Sequence, residues 1–304
     1  MEQLNNLRAL FCVGMLLYAS RSDWFTRRVS NNVWIYSGSF AIALLVIDLF
    51  LEKDPWTNWA IVFVSSVLFY NAFIDEYELE QKYLQAWKCV QILAGISFLA
   101  FIHFSDIASL SENSMRAVDL FSISSLIILM YIWYYFGPTI GGADVKAIMT
   151  LALLVPFSPS INPNLITAFD SRGFPFPFVV FMNSLLVYLT IPLTLFVLNI
   201  SRRDISSPYL QMFVGIRMPI SEARNNFVWP LERVINGKKI LSAYVVRGEP
   251  EDKIWNSLEE AGVERPWVSL KVPYIIPLTI GMIISILIGD LFTTFLVAPL
   301  QNFI

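Results

Sequence analysis

The chain has 304 residues, of which 56% are hydrophobic and 15% are charged. Soluble domains carry roughly 25% charged residues, so this composition favours a membrane protein. The net charge of −3 and the lack of a long basic tract give no indication of nucleic-acid binding. The two cysteines, Cys12 and Cys89, form no CxxC pair, and the chain has one histidine. We therefore expect no disulfide framework, no metal and no other cofactor.

Eight apolar segments are candidates for crossing a bilayer, which takes about 20 residues of helix. In chain order they are 5–20, 32–51, 56–74, 88–104, 117–136, 144–157, 176–200 and 272–298. The first and the sixth are short. The first has neither the basic leader nor the A-x-A site of a cleaved signal peptide, so we expect it to be retained. The pattern predicts an α-helical polytopic membrane protein with about eight transmembrane helices.

Eight crossings also predict an orientation. The loops that then share one side are 21–31, 75–87, 137–146 and 201–271. Every lysine and arginine falls on that side, with four exceptions, which are Arg8, Lys53, Arg116 and Arg172. Because cytoplasmic loops are enriched in basic residues, this side is predicted to be cytoplasmic. Both termini then lie on the opposite side, and the protein is expected in the plasma membrane.

Residues 201–271 differ from the rest in having the composition of a soluble domain. The segment ILSAYVV (240–246) alternates like a strand, and PWVSLKV (266–272) is a second strand candidate. Between them, PEDKIWNSLEEAG (250–262) has proline at a helix start, acids in the first turn and glycine at the end. Its apolar face is predicted to consist of Ile254, Leu258 and Ala261.

The predicted organisation has three parts. Residues 1–200 form the transmembrane core, and residues 201–271 form a small cytoplasmic α/β insertion. Residues 272–304 supply the last transmembrane helix. The insertion has about 70 residues, and a domain of that size is marginally stable by itself, so we expect the membrane part to support it.

Two aspartates are predicted to share the cytoplasmic face. Asp23 follows the first crossing and Asp144 follows the fifth, and both crossings are odd-numbered. Two carboxylates at one face can perform aspartyl proteolysis, in which one is protonated and the other ionised. Two glycines, Gly141 and Gly142, precede Asp144, and we expect them to free the local backbone and to admit a substrate closely.

The residues around both aspartates resemble a known family. SDWFTRRVSNNVWIYSG (22–38) resembles the first-aspartate motif of the type IV prepilin peptidases, and GGADVK (141–146) resembles their GxGD motif. The match is closest to the archaeal branch, the prepilin and preflagellin (archaellin) peptidases, in which a small cytoplasmic domain can lie between late membrane helices. Each motif is modest evidence alone, but the two on one face are specific.

The resemblance implies a membrane aspartyl endopeptidase of the GxGD type. It would act at the cytoplasmic face on prepilins and preflagellins, cutting between a short basic leader and a hydrophobic helix. Asp23 and Asp144 would be its catalytic pair. Lys146 and Arg27 would orient that pair or contact the substrate, although both also suit basic anchors at the membrane surface.

The chain departs from the family pattern at three points. Ala143 stands where glycine is common before the second aspartate, and Ser30 stands where proline is frequent. Bacterial members carry a cysteine-rich loop and an N-methylation activity. Because this chain has no CxxC pairs, we expect proteolysis without methyl transfer.

An acidic stretch lies on the predicted cytoplasmic side, against the usual charge bias. Its acids are Asp75, Glu76, Glu78 and Glu80. They are candidates for attracting a basic leader peptide, and a solvated helix end is the alternative. Oligomeric state and the identity of the pilin or archaellin are not predicted.

Competing functions would use the same acidic residues in other ways. Asp23 or Asp144 alone would also suit a helix cap at the membrane boundary. A presenilin-like protease is rejected, because Ser22 precedes the first aspartate and the C-terminal Ala-Pro-Leu (298–300) has the wrong order. A proton-coupled transporter using Asp23, Asp144 or Asp290 as relay would need sites near the midplane between repeated halves, and the chain has no such repeat.

A membrane scaffold, the third alternative, would tolerate loss of both aspartates. Asp290 is interpreted as a packing residue, and Asp48 and Asp119 are expected near the outer surface without a special role.

Overall fold

The structure is a computed structural model of a mostly helical protein. The residues that it describes are 2–74, 80–105, 112–136, 141–160, 174–205, 209–235, 237–242 and 250–292. Contacts divide the chain into two compact units, residues 1–186 with 273–304, and residues 187–272.

Nine of the described helices have ten or more residues, and all of these except α10 lie in the first unit or lead out of it. In chain order the helices are α1 Glu2–Thr26, α2 Asn31–Leu51, α3 Trp56–Ile74, α4 Gln81–Phe104, α5 Glu112–Phe136, α6 Gly142–Leu154, α7 Phe176–Ser201, α8 Gln211–Val214, α9 Ile220–Ala223, α10 Glu251–Glu260 and α11 Ile275–Leu287.

Five of these helices, α2, α3, α4, α5 and α7, are long and apolar enough to cross a membrane. They coincide with five of the predicted spans, and the predicted count of about eight is not confirmed. Helix α1 is long but carries more polar and charged residues than those five. Helices α6 and α11 have 13 residues each, which is fewer than the roughly 20 that a bilayer requires.

Helix α6 forms the centre of the first unit. All ten of its residues from Val145 to Leu154 are buried, and it contacts α1, α2, α3, α5 and α11. A mostly apolar helix of this kind is stable only when its neighbours cover it completely. This burial holds the beginning of α6, which carries the GGADVK motif, against the surrounding helices.

The second unit contains a small antiparallel sheet with strand order β1-β5-β2 and a separate hairpin of β3 and β4. The strands are β1 Ile216–Arg217, β2 Val228–Pro230, β3 Glu232–Ile235, β4 Lys238–Leu241 and β5 Trp267–Leu270. This confirms the predicted strand within 266–272. The other predicted strand, 240–246, overlaps β4 in its first two residues, and residues 243–249 lie outside the described residues.

The predicted helix of the second unit is confirmed as α10. It follows Pro250 and ends before Gly262, whose φ of +70° is a conformation that glycine adopts without strain. Ile254 and Leu258 are buried as expected. The inclusion of Ala261 was wrong: it lies after the last helical turn and is exposed, and Trp255 is buried instead.

A buried cluster of charges joins four helices of the first unit. The Arg8 guanidinium lies 3.4 Å from the Asp48 carboxylate, and each side chain is 1% exposed. Arg116 lies 3.4 Å from Asp48 and 2.8 Å from Asp54, and Asn58 donates a 2.6 Å hydrogen bond to Asp54. Asp48 was expected to need no special role, but two arginines pair with it inside the helix bundle, so it has a structural role.

We expect these ion pairs to be costly to break singly. Asp48→Leu leaves Arg8 buried without its carboxylate and should lower the free energy of unfolding by about 3–5 kcal/mol. The double variant Arg8→Met, Asp48→Leu removes both charges and leaves Arg116 with Asp54, so its stability should be closer to that of the wild type. Unfolding in detergent micelles, followed by circular dichroism, measures both. An equal loss of stability in the single and double variants would contradict this account.

Candidate active site

The first aspartate lies in the last turn of α1. Asp23 is 9% exposed, and its backbone carbonyl accepts a 3.0 Å hydrogen bond from the N–H of Arg27. Arg27 has a φ of +54°, a left-handed conformation that costs a non-glycine residue roughly 1–2 kcal/mol. This residue ends α1 and turns the chain towards α2.

Side chains of the first motif stabilise that turn. The hydroxyl of Ser22 donates to the carbonyl of Arg28 at 2.8 Å, and Thr26 donates to the same carbonyl at 2.9 Å. Ser30 caps α2, because its hydroxyl accepts a 3.3 Å hydrogen bond from the N–H of Asn32. The serine in place of the family's frequent proline therefore has a local function, and Asp23 is presented from a short, well-bonded turn.

The second aspartate lies in the first turn of α6. Asp144 folds back on the residue before the helix, and its Oδ2 accepts a 3.3 Å hydrogen bond from the N–H of Gly141. A Cβ on Gly141 would lie 2.9 Å from that oxygen. A Cβ on Gly142 would have the Tyr134 ring as its nearest neighbour, at an ordinary 3.8 Å.

The expected reason for the paired glycines was therefore wrong in one respect. Gly141 has a φ of −82°, which any residue adopts, so conformational freedom is not what this position requires. The required property of Gly141 is its missing side chain, because the Asp144 carboxylate occupies that space.

The fold brings the two aspartates together. Asp23 and Asp144 interact electrostatically, although they belong to helices far apart in the sequence. The backbone N–H of Ile275, the first residue of α11, also interacts with the Asp144 carboxylate. Backbone N–H groups in the first turn of a helix have no partner within the helix and favour a negative charge. The start of α11 is thus a third component of the site, which the sequence analysis missed.

The two predicted basic residues lie in the same two motifs as the aspartates. Arg27 interacts electrostatically with Asp23, and its guanidinium lies 6.0 Å from the centre of the Trp24 ring. Lys146 is 8% exposed and donates a 2.9 Å hydrogen bond to Asn31, at the start of α2. It therefore connects the second motif to the first. This buried position differs from that of an anchor at the lipid surface.

Other predicted residues are less informative. Asp75, Glu76 and Glu78 lie outside the described residues, and Glu80 forms an exposed 2.7 Å ion pair with Lys82. Within the described ranges, no three His, Cys, Asp or Glu side chains are grouped so that they could hold a metal ion.

A family model described as "Archaeal Peptidase A24 C-terminus Type II" matches residues 207–291. That range runs from the second compact unit through α11. It therefore includes Ile275 but neither of the two aspartates.

Curated relatives match over a larger part of the chain. The preflagellin peptidase of Methanococcus maripaludis is 29% identical over 184 residues, which are 58% of this chain and 75% of that protein. The preflagellin peptidase of Methanococcus voltae is 26% identical over 66% of this chain and 84% of its own length. That of Methanocaldococcus jannaschii is 24% identical over 70% and 88%.

The chain is a relative of the archaeal preflagellin peptidases. The resemblance inferred from the two aspartate motifs and the prediction of a peptidase are both confirmed. All three relatives are named as peptidases, so they give the transporter alternative no support. The catalytic and supporting roles of individual residues stay predictions.

The two glycines provide a matched test of this site. In this preflagellin-peptidase relative, Gly141→Ala should lower peptidase turnover at least about tenfold, because the new Cβ would displace the Asp144 carboxylate and misplaced groups react slowly. Gly142→Ala adds the same methyl group in ordinary contact and should stay within about twofold of wild type. Turnover is measured on a preflagellin, the substrate class for which the relatives are named. The explanation fails if both variants lose activity equally or if both keep it.

Proposed function

We propose that this protein is a membrane aspartyl endopeptidase that removes short basic leader peptides from preflagellins and from prepilin-like precursors. It acts from the cytoplasmic face of the plasma membrane, as a multi-pass protein, with Asp23 and Asp144 as the catalytic pair. It cleaves the precursor without methylating the new N-terminus.

A single observation carries the mechanism: two carboxylates from distant helices lie near enough to interact electrostatically. One is in the last turn of α1 and the other in the first turn of α6. The backbone N–H groups of Gly141 and Ile275 interact with Asp144, and the side chain of Arg27 interacts with Asp23. Like charges this close cannot both ionise cheaply, so the pair favours a state with one shared proton.

That state can hydrolyse a peptide bond without a metal. The ionised carboxylate takes a proton from a water molecule, whose oxygen attacks the scissile carbonyl carbon, while the protonated carboxyl donates its proton to the carbonyl oxygen. The tetrahedral intermediate then breaks its C–N bond. The nitrogen leaves as an amine, carrying the proton that the first carboxylate took from water, and the second carboxylate recovers its proton from the intermediate.

The remaining predicted components fit this proposal. Residues 1–200 and 272–304 would form the membrane part, and 201–271 the cytoplasmic module. The lipid bilayer would cover the exposed apolar face of α4. Five of its large aliphatic side chains are more than half exposed, namely Ile92, Leu93, Ile96, Leu99 and Ile102. The acidic residues at 75–80 would attract the basic leader.

The decisive test uses the two isosteric amide variants. Purified protein is reconstituted with a preflagellin, and the shortened product is quantified for wild type, Asp23→Asn and Asp144→Asn. Each variant removes an ionisable partner of the pair, so each should lower the cleavage rate by at least about 100-fold. A chelator should leave the wild-type rate unchanged.

Asp252→Asn is the matched control, because Asp252 is an exposed carboxylate in the first turn of α10. It should cleave at the wild-type rate. Normal processing by both Asp23→Asn and Asp144→Asn would refute the proposed mechanism.

The shared proton also predicts a dependence on pH. Below the working range both carboxyls are protonated and none can activate water; above it both are ionised and none can protonate the carbonyl oxygen. A plot of log kcat/KM against pH should therefore fall on both sides of a maximum. A rate that stays flat from acidic to alkaline pH would contradict the one-proton mechanism.

A further inference from the structure

Hydroxyl groups link α1 to α11 one turn away from the catalytic pair. The hydroxyls of Ser20 and Thr279 lie 2.8 Å apart, and Ser20 also donates to the carbonyl of Ile275 at 3.3 Å. The Thr279 hydroxyl can also donate to the same Ile275 carbonyl, at 2.8 Å, or to the carbonyl of Leu16, at 3.3 Å. This contact therefore joins α1 to α11 through neutral hydroxyl and carbonyl groups that are hydrogen-bonded to one another.

The position of this contact connects the two carboxylates. On α1, Ser20 and Asp23 are three residues apart, so they lie on neighbouring positions of one helix face. On α11, Thr279 and Ile275 are four residues apart, which again places them one turn from each other. Because the backbone N–H of Ile275 also interacts with Asp144, the Ser20–Thr279 contact joins α1, one turn from Asp23, to the part of α11 that approaches Asp144.

The other side of α11 is also held. The hydroxyls of Tyr274 and Ser184 lie 2.5 Å apart, and a Cβ on Gly281 would lie only 2.7 Å from the backbone nitrogen of Ser184. Helix α11 therefore packs closely against the first half of α7 and has little freedom to move away from it. Within this frame, the Ser20–Thr279 contact determines where α1 lies relative to the start of α11.

We infer that Thr279 and Ser20 are positioning residues of the peptidase, which set the separation of the two catalytic carboxylates by joining α1 to the start of α11. This inference rests on the proposed function of Asp23 and Asp144. Neither hydroxyl is expected to touch the substrate. Their effect is on turnover, because the carboxylates must lie at the correct separation for one of them to activate water while the other protonates the carbonyl oxygen.

Thr279→Val tests the inference, since it keeps the shape of the side chain and removes the hydroxyl. The expected result on a preflagellin is a kcat lower by about 10- to 100-fold, with KM within about twofold of wild type. Thr279→Ser restores the hydroxyl and should restore kcat. Ser20→Ala, at a partly exposed position, should lower kcat in the same way and serves if Thr279→Val fails to fold.

Thr194→Val is the matched control. Thr194 makes the same kind of hydrogen bond to its own helix, to the carbonyl of Thr190 at 2.8 Å, and it lies in the other compact unit. Loss of the Thr194 hydroxyl should leave kcat unchanged. A kcat within twofold of wild type for both Thr279→Val and Ser20→Ala overturns the inference, and so does a loss of kcat that Thr279→Ser fails to restore.

A second measurement is independent of activity. Asp23→Cys and Asp144→Cys are combined in a Cys89→Ser background, which removes the exposed native thiol and leaves Cys12 buried. A short bifunctional thiol reagent should cross-link this pair, and adding Thr279→Val should lower the yield several-fold, whereas Thr279→Ser should not.

An unchanged cross-linking yield in the Thr279→Val background overturns the inference even if the wild type cleaves preflagellin. Conversely, failure of the wild type to cleave preflagellin would count against the proposed function, and the cross-linking result would still decide the inference.

Discussion

A carboxylate inside an apolar helix bundle is stable only where donors or opposite charges surround it, and this constraint governs the first compact unit. The carboxylates at the two ends of α1 have different surroundings. Near its beginning, Arg8 pairs with Asp48 in a nearly complete charge balance that also includes Arg116. Near its end, Asp23 and Asp144 approach each other. The first arrangement stabilises the fold, whereas the second concentrates like charge, as the proposed catalysis by two carboxylates requires.

The central helix α6 makes this second arrangement possible. Its complete burial from Val145 onward leaves it little freedom to move, so the carboxylate in its first turn is held by the packing of the whole helix. Gly141 then provides the space into which that carboxylate folds. Lys146, on the same helix, reaches the start of α2 through Asn31. The two motifs are therefore joined directly by this hydrogen bond.

Among the described residues, the groups that interact with the pair are mostly neutral, apart from Arg27. The backbone N–H groups of Gly141 and Ile275 interact with Asp144, and the hydroxyls of Ser20 and Thr279 join α1 to α11. Neutral donors can orient a carboxylate without adding a full charge that would itself need burial.

Much of this could be predicted from the sequence. The apolar runs predicted the five long membrane helices, since hydrophobicity over some 20 residues is a local property of the chain. Counting crossings placed Asp23 and Asp144 at one face, because each crossing reverses direction. The same count places the start of the last helix at that face, and this signal could have drawn attention to Ile275. The flanking motifs indicated the peptidase class, which the comparisons confirm.

The sequence by itself thus determined which segments are apolar, which ends carry acids and which family the motifs resemble. The tertiary structure alone decided which polar side chains meet: Asp48 with two arginines, Lys146 with Asn31, and Ser20 with Thr279. Serine and threonine are common in apolar helices, and nothing local distinguishes those that bond across helices from those that bond to their own carbonyls. That outcome depends on how each helix is rotated and how closely its neighbours approach, which follows from the packing of the entire bundle.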